Sequence, residues 1–240
     1  MRNLRKFISS NSLEAWKNSD NYITPNVILY NNTIQFNKLL YDAKIEYLAS
    51  TKTQYIDINI VPDENTGIYI KASYEDNSDL YAVGMRNDTN NTRWLIGKSV
   101  DGWYYGYGTY ANTNEHLPKT NTIAECKLNY LNSKKWEATG NNNDTISCNL
   151  PTLSFTPAYN IRLFGSAGIV KDYTHFLGKI YFVKISQGSE IIMDLIPVRI
   201  GNIGYMYDKI SKKLYGNDGD GDFILGKDIV DIEYLESTGT

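Results

Sequence analysis

The sequence predicts an all-β fold of two packed antiparallel sheets, and three observations carry that prediction. Ile56, Ile58 and Ile60 alternate with Tyr55, Asp57 and Asn59, the period of a strand with one buried face. From Ile45 onward, strand-like runs alternate with polar turn clusters at short intervals. About a dozen such strands in one open sheet would leave an apolar face wet, so two sheets must pack on each other. Finally, 20 Tyr and only 6 Pro suit strands joined by polar turns, and no long apolar pattern of helical period is present.

The chain of 240 residues is 42% hydrophobic, enough for one large domain with its own core. A formal charge of −3 gives no electrostatic reason to expect a nucleic acid or an anionic membrane as partner. No apolar run approaches the ~18 residues of a membrane span. Met1 to Phe7 carries the positive charge of a secretory leader, but Ser9, Ser10, Asn11 and Ser12 stand where the apolar region should follow. Cys126 and Cys148 lack the His or Cys neighbours of a zinc site and are read as free thiols, with one disulfide as the alternative. No cofactor is implied.

Residues 1 to 44 form a segment of different character. Ser12 to Lys17 can make one or two helical turns, and Pro25 to Tyr30 and Ile34 to Asn37 read as two short strands about the polar turn Asn31-Asn32-Thr33. The segment carries Trp16, Tyr22, Val27, Leu29, Ile34 and Phe36 in too little mass to bury them. They need another surface, either the following domain or another chain; the expectation is docking and oligomerisation, as a homodimer or homotrimer.

In the domain from residue 45 to 231, Gly67 to Tyr74 and Leu80 to Met85 are strand-like about the polar run Glu75 to Asp79. Arg93 to Gly97 and Trp103 to Tyr107 flank Asp101-Gly102, a pair that predicts a type I′ hairpin turn with both residues at positive φ. Further strands are predicted over 122–131, 135–139, 145–150, 160–164, 178–185, 190–198 and 204–209. Ile56, Ile58, Ile60, Ile180 and Phe182 are expected in the core between the sheets. The nonapeptide Ile45 to Thr53 returns as Ile232 to Thr240 with seven of nine positions identical. Residues 232–240 therefore read as the first strand of a second similar unit, with the chain expected to continue.

The runs "IEYLASTKTQYIDINI" (45–60), "NIRLFGS" (160–166), "GKIYFVKI" (178–185), "DLIPV" (194–198), "GYMYDK" (204–209) and "KLYGNDGDGDF" (213–223) resemble, in order, the concanavalin A-like, LamG-type jelly-roll domains of phage structural proteins. Pro25-Asn26-Val27 followed by Tyr30-Asn31 and Phe36-Asn37 is similar to the leaders of virion appendage proteins in phages of gut Bacteroidales. The resemblance implies a two-sheet jelly roll used for display or adhesion. It further implies a non-enzymatic head or tail fibre, in the virion and assembled in the host cytoplasm. Its docking segment, with Trp16, Tyr22, Pro25, Asn26, Val27, Leu29, Ile34 and Phe36, would contact other virion proteins.

Candidate chemistry is sparse. Asp218, Asp220 and Asp222 have the spacing that opens an EF-hand loop, but Phe223 stands where Gly is needed and Ile229 where the bidentate Glu belongs. They are read as dispensable turn residues, not as a metal site. The paired carboxylates of a glycosidase are not evident, and His116 and His175 lack catalytic spacing. Trp103, Tyr105 and Tyr107 alternate onto one strand face, with Tyr104 on the other beside Gly106 and Gly108. The first three are the candidate contacts for a host surface glycan, although the same alternation suits a core face. The alternative function is therefore a carbohydrate-binding adhesin, and a degenerate glycoside hydrolase is third.

Overall fold

The computed structural model describes residues 26–30, 33–37, 40–75, 80–87, 90–111, 116–152, 157–168 and 176–230. The strands in chain order are β1 (Asn26–Tyr30), β2 (Thr33–Asn37), β3 (Ala43–Lys44), β4 (Leu48–Thr51), β5 (Ile56–Asp57), β6 (Thr66–Tyr74) and β7 (Leu80–Asn87). They continue as β8 (Thr92–Ser99), β9 (Gly102–Gly108), β10 (Tyr110–Ala111), β11 (Leu117–Pro118), β12 (Ile123–Leu128), β13 (Lys135–Gly140) and β14 (Thr145–Asn149). The last are β15 (Arg162–Leu163), β16 (Leu177–Gln187), β17 (Glu190–Ile200), β18 (Ile203–Asp208), β19 (Leu214–Tyr215) and β20 (Ile224–Leu225).

These strands build two packed sheets, as the alternation predicts. The smaller runs β10-β9-β8-β7-β15-β5 with β11 beside β9; the larger runs β14-β13-β12-β6-β16-β17-β18-β19, with β3, β4 and β20 added at its β16–β17 side. Every strand-to-strand ladder in both is antiparallel. Between the sheets lie Trp94, Trp103, Trp136, Tyr105, Phe164 and Phe176, packed with Ile56, Ile58, Ile68, Ile70, Ile180 and Val183. Full burial of such side chains contributes roughly 1.5–3 kcal/mol each. The fold is a two-sheet antiparallel jelly-roll sandwich. Strands β1 and β2 pair in a separate two-stranded sheet, Asn26 opposite Asn37, the strand pair that the leader's sequence predicts. Trp16, Tyr22 and Pro25, the predicted turns from Ser12 to Lys17, and the side chains of Asn26, Val27, Leu29, Ile34 and Phe36 lie outside the described residues, as do residues 231–240.

Two expectations are corrected. Phe182 is not a core residue: the register of β16 against β6 shifts between Ile180 and Phe182. This bulge puts Tyr181 and Phe182 both on the outer face and returns Val183 and Ile185 to the core. Ile60 packs against the core only half-buried. The hairpin of β8 and β9 forms, but its turn lies one residue earlier than predicted. Ser99 pairs with Gly102, leaving Val100 and Asp101 as the loop. Gly102 opens β9 at φ 133°, and a Cβ there would collide with the Leu117 carbonyl, so glycine is required by the neighbouring β11 rather than by the turn.

The sandwich closes where it opens. Ile224 and Leu225 pair with Ala49 and Leu48, Ile45 bridges Asp228, and the Ile229 N–H donates to the Lys44 carbonyl at 2.8 Å. Arg199 clamps Asp228 from β17 with Nε and Nη2 at 2.8 and 2.6 Å. The loop at Asn217 to Asp222 is laid against residues 53–57. The Asp218 N–H donates to the Tyr55 carbonyl, and the Asp218 carboxylate accepts from the Asp57 N–H at 2.8 Å. The Asp218 carboxylate thus accepts from a backbone donor within β5, a contact that the turn reading did not include.

Lys52 follows β4 at φ 85°, a region that costs a residue with a Cβ about 1–2 kcal/mol. The repeated nonapeptide has Gly239 at the matching position. Replacing Lys52 by Gly should therefore raise the midpoint of thermal unfolding, where an average surface lysine-to-glycine change would lower it.

Asp208, at the end of β18, is buried. Burial alone would raise its pKa, but the Ser211 hydroxyl and the N–H groups of Asp194, Ile210 and Ser211 all donate to its carboxylate. Together they hold it below the ordinary aspartate value. Its folded pKa being the lower one, the stabilisation is complete above the ordinary carboxylate range and is lost as pH falls through the folded value. Asp208→Asn should destabilise the protein at neutral pH and flatten the acid limb of its stability profile, measured by urea unfolding at a series of pH values.

Candidate functional site

The inner and outer faces of the smaller sheet have opposite chemistry. Trp103, Tyr105 and Tyr107 point inward and are almost wholly buried, which overturns their reading as glycan contacts. Each polar head is tied to the opposite side of the sandwich. The Trp103 Nε1–H donates to the Asn121 carbonyl at 2.9 Å and the Tyr107 hydroxyl to the Glu64 carbonyl at 2.9 Å. The Tyr105 hydroxyl lies 3.6 Å from Cys148 Sγ. Burial, with Glu64 and Asp63 nearby, pushes the Tyr107 hydroxyl up to about 12. Cys126 is buried and Cys148 half-buried; both are free thiols, and burial pushes the Cys126 thiol up.

With those three inward, the period of two sets Tyr104, Gly106 and Gly108 outward. The ladders carry this phase across the sheet. Gly106 pairs with Leu95, Leu95 with Gly84, Gly84 with Arg162 and Arg162 with Asp57. One row on, Gly108 pairs with Arg93 and Arg93 with Arg86; one row back, Tyr104 pairs with Gly97 and Gly97 with Tyr81. On the outer face Leu95 lies between Gly84 and Gly106, all three buried, and half-buried Arg93, Arg162 and Tyr104 stand around them. A Cβ at Gly106 would stand 3.0 Å from Arg93 Cβ and 3.2 Å from Leu95 Cγ. Gly84 sits at φ 141°, where a Cβ would strike the Trp94 carbonyl. Glycine in a strand interior sacrifices stability, and here it makes room for the close approach of Arg93, Leu95 and the Trp94 carbonyl.

The walls are polar. The Arg86 Nη1–H donates to the Tyr81 hydroxyl at 2.9 Å, and the Arg93 Nη2–H donates to Asn91 Oδ1 at 2.8 Å. The Arg162 guanidinium lies over the Tyr55 ring, 3.9 Å from its centroid. The Tyr104 ring faces His116 at 5.7 Å. Among the described residues, the Nε atoms of Arg93 and Arg162 are buried without a hydrogen-bond partner. Buried donors are paired as a rule, so each such exception requires an explanation.

The outer face of the larger sheet is different because most of its lysines are paired, although Asp194 Oδ1 is buried without a hydrogen-bond partner. Lys71 pairs with Glu125 at 3.1 Å, Lys127 with Glu137 at 3.5 Å, Lys179 with Glu75 at 3.1 Å and Lys209 with Asp194 at 2.7 Å. The Tyr69 hydroxyl donates to Glu125 at 2.5 Å, its own pKa raised to about 12 by burial and that carboxylate. Tyr69 meets Phe182 and Tyr130 at 4.8 and 5.5 Å between ring centroids. This strip was not foreseen, although Lys184 gave the signal: strict alternation from Ile180 through Phe182 would have driven it into the core.

The strand order and the two packed sheets define an antiparallel jelly-roll sandwich. Among solved structures it is similar to a candidate carbohydrate-binding protein from Bacteroides ovatus ATCC 8483, with a TM-score of 0.53, 12% identity, and coverage of 78% of this chain and 60% of that one. It is also similar to the full extracellular region of zebrafish Gpr126/Adgrg6, with a TM-score of 0.45, 10% identity, and coverage of 78% and 27%. The chain thus spans less than two thirds of either structure. The first likeness speaks for the fold alone, and the second carries no argument. No protein-family model and no curated protein matches the sequence.

Trp103→Ala should cost about 3–5 kcal/mol through the cavity it leaves. A large drop in urea midpoint is expected; a variant as stable as the parent would contradict the inward placement.

Proposed function

We propose that the chain is a non-enzymatic glycan-binding module that holds its ligand on the outer face of the smaller sheet. The observation that carries the reading is the outer face of the smaller sheet, where Tyr104, Arg93 and Arg162 are half-buried and the Nε donors of both arginines have no partner among the described residues. Sugars are bound by rings that stack on their C–H faces and by planar donors that reach their hydroxyls. The neighbour from Bacteroides ovatus, itself described as carbohydrate-binding, supports the same class. The earlier aromatic candidates are replaced by the residues on the opposite side of the same strands.

The finer context is a virion appendage in which residues 1 to 44 anchor the sandwich to other virion proteins and it displays its binding face. The sequence resemblance of the leader supports this, and so does the separate β1–β2 ladder. Removing residues 1 to 37 should leave the sandwich folded and abolish association into dimers or trimers, as followed by sedimentation.

A glycan array tests the main reading. Binding is expected from the intact chain and should be lost in Tyr104→Ala at unchanged melting temperature, with no reducing sugar released from any bound glycan. Release of reducing ends would make the protein a hydrolase, and a blank array would remove the glycan reading.

A further inference from the structure

Resting on the glycan reading, we infer that the ligand of the smaller sheet carries an anionic substituent, a carboxylate or a sulfate ester, received by Arg93 and Arg162. Several charges elsewhere are paired. On the larger sheet's outer face four lysines have carboxylates within ion-pair distance, and at the closure of the sandwich Arg199 has a bidentate partner in Asp228. On the smaller sheet's outer face the arrangement is reversed.

Arg162 stacks on Tyr55, which occupies one face of the guanidinium and leaves its in-plane donors for another group. Among the described residues it makes no ion pair, and its Nε is buried without a partner. The acid beside it in register is Asp57. That carboxylate accepts from the Asn59 N–H at 2.8 Å and is not within ion-pair distance of Arg162. Arg93 uses one donor on Asn91, and its Nε too is unpartnered. Its cross-strand neighbour is Arg86, which is engaged by the Tyr81 hydroxyl; like charges directly opposite each other repel, so Arg86 offers Arg93 no counter-charge. A planar fork held against an aromatic ring is the geometry that meets a carboxylate or sulfate through two parallel N–H bonds. The overall charge of −3 makes this local excess of cations all the more specific.

The test uses the intact chain with dextran, dextran sulfate and hyaluronan oligosaccharides, which supply no charge, sulfate only and carboxylate only. Affinity is measured at low and physiological salt, where screening differs. At least one charged polymer should bind about tenfold or more tightly than dextran, and Arg162→Gln and Arg93→Gln should each remove about that factor together with the salt dependence. Lys71→Gln, on the opposite face, should leave binding unchanged; melting temperatures certify that the variants fold. Preference for dextran sulfate over hyaluronan assigns sulfate, and the reverse assigns carboxylate. Equal binding of dextran and the charged polymers, lost in Tyr104→Ala, would overturn the anion and leave the glycan reading intact. Charged-polymer binding that survives both arginine substitutions, or falls equally in Lys71→Gln, would overturn the site. No binding of any polymer would overturn the inference and the reading beneath it.

Discussion

The inward phase of Trp103, Tyr105 and Tyr107 is the constraint on which the rest of the smaller sheet depends. Each ring fills the space between the sheets, and the Trp103 and Tyr107 heads find backbone carbonyls at the opposite side, at Asn121 and Glu64. A slip of one residue would carry these rings into solvent and leave those groups unmatched, so the register is strongly specified. Once it is fixed, the ladders leave no freedom. Tyr104 and Gly106 must face out, and with them Arg93, Gly84 and Arg162. The composition of the outer face is thus a consequence of how the core is filled.

The larger sheet shows what happens when that phase is interrupted. The bulge in β16 adds one residue between two inward runs, Gly178 and Ile180 before it, Val183 and Ile185 after it. The extra residue places two adjacent aromatics on the same outer surface, where Phe182 joins Tyr69 and Tyr181 lies 5.7 Å from Tyr47 between ring centroids. Ion pairs among partly exposed side chains contribute little individually. Four lysines of that face nevertheless have carboxylate partners, whereas Arg93 and Arg162 make no ion pair among the described residues.

Much of this was legible in the sequence. The all-β class, the hairpin of β8 and β9, the β1–β2 pair and the inward Ile56 and Ile58 follow from period-two alternation and turn chemistry. So does the division of Tyr104 from Trp103 and Tyr105; what alternation could not say is which side is the core. That depended on Asn121 and Glu64, distant in sequence, being placed to accept from the buried rings. The bulge escaped for a related reason, since only Lys184 betrays it and only once Ile180 is known to be buried. The arginine cluster was invisible because Arg86, Arg93 and Arg162 are brought together by β15 pairing with β7, a contact between strands nearly eighty residues apart. The role of Asp218 likewise depends on its loop lying against Asp57.

The most direct measurement is side-chain NMR of the arginine Nε–Hε and tryptophan Nε1–H groups during titration with the best-bound glycan. Arg93 and Arg162 Nε–Hε signals should shift with saturable dependence on ligand, while the Trp103 signal, bonded to Asn121 inside the sandwich, should stay in place. Arg93 and Arg162 signals that stay unmoved at saturating glycan would contradict the assignment of the binding face.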